Sequence, residues 1–151
     1  MADNDKTMSV LQDLLERCKD GQRGYKEAAE HVNDPSIKSF FNEQSIQRGQ
    51  FAAELENELH RIGKHDVDRS SSVAGAIHRR IMDLKSAITK GDKAILEEVE
   101  RGEDAAKKAY QGALNEALPS NLLSVIRSQA QSVFSAHDYV KSLRDSIGRA
   151  A

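Results

Sequence analysis

The chain has 151 residues, of which 30% are charged and 38% hydrophobic, with two prolines, no tryptophan and a formal net charge of -2 at pH 7. These totals fit one soluble, helix-rich domain large enough for a sizeable core. The near-neutral balance excludes a general attraction to nucleic acid, and the single cysteine, Cys18, excludes an internal disulfide and suits a reducing compartment.

The opening stretch MADNDKTMSV carries neither the basic nor the apolar region of a signal peptide. No apolar run approaches the length of a membrane span, so a cytoplasmic protein is expected. Leu11, Leu14, Leu15, Cys18, Tyr25, Ala28, Ala29 and Val32 recur at helical spacing and predict a first helix over about 8–33. It stops at NDPS, where Asp34 suits an N-cap and Pro35 the first helical position. A second helix over 35–62 carries Ile37, Phe40, Phe41, Phe51, Leu55, Leu59 and Ile62, and Gly63 closes it.

The polar stretch KHDVDRSSS reads as a loop. Ser72 then caps a shorter helix, expected over 72–90, with Val73, Ile77, Ile81, Leu84 and Ile88 on one face and Arg79, Arg80, Lys85 and Lys90 on the other. An interfacial membrane helix has this character, but the amphipathic pattern favours a crossover lying on a bundle. Gly91 ends it and Asp92 is expected to cap the next helix, over 93–118, with Ile95, Leu96, Val99, Ala106, Tyr110 and Leu114. After LPSN a last helix, over 120–148, carries Leu123, Ile126, Val133, His137, Val140 and Ile147. Two tight turns and one long middle link predict an all-α four-helix bundle of two antiparallel hairpins, joined by a crossover that contains a short fifth helix.

Glu103, His137 and Gln22 fall on these apolar stripes, and Glu54 lies at the edge of its own. A weak echo between the halves sets Gln22 against Glu103 and Glu54 against His137, which predicts similar depths for all four. A carboxylate on a buried stripe is costly without a partner. Two readings follow. Glu103, His137 and Glu54, with Gln22 as a weak ligand, can hold iron, manganese or zinc; or the same groups form a buried hydrogen-bond network in a non-enzymatic bundle that binds a partner or itself.

The segments CKDGQRGYKEAAEHVNDPSIKSFF, QRGQFAAEL, RGEDAAKKAY and AHDYVKSLRD resemble a bacterial ferritin-like four-helix-bundle family catalogued as a domain of unknown function, over about residues 8–147. Glu103 followed seven residues later by Tyr110 also resembles the metal-binding helix of rubrerythrins. The resemblance implies a ferritin-like fold. The positions matching the bridging glutamates of two Glu-x-x-His pairs hold Phe51 and Phe134, so di-iron oxidase chemistry is not expected.

Overall fold

The computed structural model describes residues 4–63 and 82–150, and every long element among them is an α-helix. Helix α1 spans Asn4–His31, α2 Pro35–Arg61, α3 Asp92–Leu114 and α4 Ser120–Ala150. A shorter helical stretch covers 82–88. The expected helix start at Ser72, and Ile77 and Ile81 on its apolar face, lie outside the described residues.

The turn between α1 and α2 is fixed from two sides. The Asp34 carboxylate accepts from the backbone N–H of Ser36 and Ile37, at 2.8 and 3.2 Å, and Pro35 occupies the first turn where its missing N–H costs nothing. Asp92, expected to cap its own helix, instead reaches across and accepts from the N–H groups of Asn33 (2.8 Å) and Asp34 (3.0 Å). The residue at the N-cap of α3 is Gly91, at φ 99, a left-handed conformation open to glycine at no steric cost. Gly63, at φ 100, serves the same purpose after α2.

These contacts fix the topology. The start of α3 sits beside the end of α1, and Lys6 near the start of α1 pairs with Glu116 beyond the end of α3, at 3.5 Å. Helices α1 and α3 are therefore antiparallel. The short turns make α2 antiparallel to α1 and α4 antiparallel to α3. The end of α2 and the start of α3 consequently lie at opposite ends of the bundle, roughly 40 Å apart for helices of this size. Ahead of α3, Leu84 packs in one cluster with Tyr25, Phe41 and Ile95. Burying such a leucine contributes about 1.5–3 kcal/mol.

Helix α3 stops four residues before the expected 118. Leu118 turns inward to join the core from the link, and the carbonyl of Pro119 accepts from the N–H groups of Leu122 and Leu123, starting α4. Two apolar clusters fill the interior. One holds Leu11, Leu55, Leu59 and Ile126; the other holds Tyr25, Phe41, Leu96 and Val140. No helix among the described residues is long and apolar enough to cross a membrane.

Candidate functional site

Polar side chains occupy the layer between the two clusters. On α2 the buried positions Phe41, Ser45, Arg48, Ala52, Leu55 and Leu59 follow each other at steps of four and three, so Arg48 points inward as a core residue would. On α3 the same spacing runs through Leu96, Val99, Glu103, Ala106, Tyr110 and Ala113. Arg48 is 1% exposed and Glu103 3%. The guanidinium grips the carboxylate with both forks, Nη1 to Oε1 at 2.7 Å and Nη2 to Oε2 at 2.6 Å. Burial opposes the Arg48 charge, but Glu103 outweighs that penalty and holds the guanidinium charged beyond its ordinary range. Gly21 on α1 makes the space: a Cβ there would stand 3.1 Å from Arg48 Nη1.

Tyr25 completes one side. Its ring lies 5.5 Å from the Arg48 guanidinium carbon. Burial, and then the nearby Glu103 charge, push its phenol well above the usual range, so it stays a neutral hydroxyl. That hydroxyl faces Glu103 without closing a hydrogen bond of good geometry. A second chain of groups runs the other way. Cys18 Sγ lies 3.1 Å from the Tyr110 hydroxyl, which donates to Gln129 Oε1 at 2.7 Å; Gln129 Nε2 donates to Glu54 Oε1 at 3.2 Å near the surface. Burial raises the Cys18 thiol to about 11 and raises the Tyr110 phenol as well.

The four residues expected to meet do not converge. Glu103 gives both carboxylate oxygens to Arg48. Glu54 is exposed and bonds Gln129. Gln22 is also exposed and lies on Gly49, where a Cβ would come 2.7 Å from its Nε2. The depths implied by the echo between the halves thus hold for Glu103 and His137 but not for Gln22 and Glu54. A di-iron centre does not fit here: an arginine holds the buried carboxylate, and Phe51 and Phe134 pack against the apolar cluster.

His137 meets a different set. It is 8% exposed on α4, and its Nε2 lies 2.5 Å from Asp104 Oδ1 on α3, while its Nδ1 lies 3.1 Å from Asp138 Oδ1. The hydrogen bond from His137 holds the Asp138 carboxyl below its usual range. Glu100, one turn before Asp104, completes a group in which one ligand atom from each of Glu100, Asp104 and His137 lies within 4.8 Å of the others. Arg144 Nη1 bonds Glu100 Oε2 at 2.5 Å. Glu100, Asp104 and Arg144 border an open groove of about 700 Å³. Both imidazole nitrogens thus face carboxylate oxygens, one from α3 and one from the neighbouring residue on α4.

Arg48, Gln129, Glu100 and Asp104 are the members of these polar groups that hydrophobicity-based striping passes over. The signal for Arg48 and Gln129 is their place in the four–three spacing. No curated protein matches the chain. A family model described as a domain of unknown function, DUF2383, matches residues 6–116, and on this match the chain belongs to the DUF2383 family.

Proposed function

We propose that this protein is a non-enzymatic four-helix bundle of ferritin-like arrangement that binds one divalent cation on the α3–α4 face, through Glu100, Asp104 and His137. The observation that carries the reading is the approach of three ligand atoms to within 4.8 Å, from two adjacent helices. Two carboxylate oxygens and one imidazole nitrogen suit manganese, iron(II) or zinc. Asp138 at the second ring nitrogen supports it, since a carboxylate there orients a ligating histidine. The open groove leaves room for water ligands.

The test is titration of the metal-stripped full chain with Mn²⁺, Fe²⁺ and Zn²⁺ by calorimetry in two buffers of different ionisation heat. Near-stoichiometric binding, with the same number of sites in both buffers, is expected. His137→Ala should abolish it. Saturation by none of the three ions, or equal binding by the variant, would refute the assignment.

The buried Arg48–Glu103 pair favours a second reading, in which the chain is a metal-free structural or protein-interaction bundle, able to self-associate, whose polar layer fixes helix register. This reading expects stability unchanged by chelators, and a sedimentation experiment on the same samples reports self-association.

A further inference from the structure

A small chamber lies beside the ion pair, between α1 and α3. Its volume is about 40 Å³, and Gly21, Gly24 and Gly102 form part of its wall, with Tyr25, Arg48 and Glu103, and also Arg17, Asp20 and Glu98, as its polar lining. Glycines at these positions leave the helices without side chains to fill the space. Roughly 10–15 Å³ of such volume holds one water, so the chamber has room for more than one. Arg17 Nε in its lining has no hydrogen-bond partner, and deeper in the wall neither do the Tyr25 hydroxyl and Arg48 Nε. Tyr25 and Arg48 are almost wholly buried, at 3% and 1% exposed.

We infer that this chamber is a binding site for ordered water, which bridges the Tyr25 hydroxyl to Arg48 Nε. The chemistry selects a neutral occupant. The lining carries both signs, Arg17 and Arg48 against Asp20, Glu98 and Glu103, so an ion of either sign would meet a like charge, and Glu103 already balances Arg48. The Nε–H can only donate, while the phenol both donates and accepts. One water can accept from Arg48 and either donate to or accept from Tyr25. A bidentate pair leaves part of a guanidinium unsatisfied, and a buried pair is tolerated when its remaining donors are also met. Water in the chamber supplies that missing partner.

A high-resolution crystal structure of the full chain tests the site directly. Solvent density within hydrogen-bond distance of both Tyr25 Oη and Arg48 Nε is the expected result. An empty chamber, or one closed by a direct Tyr25–Glu103 hydrogen bond, overturns the inference. Water-to-protein cross-relaxation at the Arg48 Nε–H, measured in solution on the native chain and on Tyr25→Phe, gives an independent reading. The signal should be present and fall severalfold in the variant, which keeps the ring and loses only the hydroxyl. Absence of the signal, or its persistence unchanged in Tyr25→Phe, refutes the bridge.

Discussion

Breaking the Arg48–Glu103 pair should unfold the protein far more readily than removing both charges together. Arg48→Met keeps an apolar stem of similar length and leaves the Glu103 carboxylate, 3% exposed, without the two donors at 2.7 and 2.6 Å. The hydroxyl of Tyr25 is a poor substitute for a bidentate guanidinium. Removing one partner of a buried pair costs about 3–5 kcal/mol, a large part of a typical total of about 5–15 kcal/mol. At roughly 2–4 °C per kcal/mol for a chain of this size, the melting temperature should fall by about 6–20 °C. Glu103→Leu should lose a similar amount by stranding the guanidinium. The double variant should recover most of the loss, because apolar replacements of similar volume remove the desolvation penalty along with the attraction. Urea unfolding of all four proteins closes a double-mutant cycle, with an expected coupling of several kcal/mol. Single variants within about 1 kcal/mol of the native protein, or a double variant that loses the sum of the two, would show that the pair does not organise the core.

Three further outcomes concern Cys18 in the same layer and Asp92 at the helix ends. With Cys18 raised from 9.0 to about 11, its thiolate is about a hundredfold scarcer than in the unfolded chain, so labelling by a disulfide reagent at pH 8 should be at least that much slower in the native protein. The folded state holds this proton more tightly. Its contribution to stability is complete below about pH 9 and is lost as pH rises toward 11, and Cys18→Ala should flatten that part of the stability curve; an unaltered slope would refute it. Asp92→Ala, which removes acceptors for the Asn33 and Asp34 N–H groups, should cost about 1 kcal/mol in urea unfolding, and an unchanged midpoint would refute the bracing of the first turn by α3.

The architecture was legible because the signals were redundant. Asp34–Pro35, Gly63 and Gly91 mark helix ends by local backbone chemistry, and the long link between two short-turn hairpins leaves little choice of topology. The site was legible only in its members, not in their partners. Glu103 and His137 were found because they interrupt apolar stripes. Arg48 stays hidden because a stripe through the phenylalanines of α2 runs beside it, and Phe40 and Phe51 are only half buried. Counting by spacing instead carries the seam from Phe41 through Ser45 and Arg48 to Ala52, and places a cation opposite Glu103. Asp104 and Glu100 escaped for another reason: periodicity reports depth, whereas which neighbour a rim carboxylate meets depends on the rotation of α3 against α4.

That rotation makes Arg144 the most informative residue on the groove. Its guanidinium lies 2.5 Å from Glu100 Oε2 and 2.9 Å from Asp145 Oδ1, and these partners hold it charged above its ordinary range. In the cation-binding reading, Arg144 competes with the ion for Glu100, and its positive charge repels a second one nearby. Arg144→Gln keeps much of the length and removes both effects, so Mn²⁺ should bind severalfold more tightly than to the native chain. The gain should shrink as salt is raised, because the side chain is partly exposed. In a His137→Ala background the same change should have no effect on binding. The metal-free reading expects the opposite pattern, with no saturable Mn²⁺ binding in any of these proteins and only a small loss of stability when the Arg144–Glu100 contact goes. Native-strength or weaker Mn²⁺ binding by Arg144→Gln would mean that Glu100 serves to anchor α4 through Arg144, and the assignment of Glu100 as a ligand would fall.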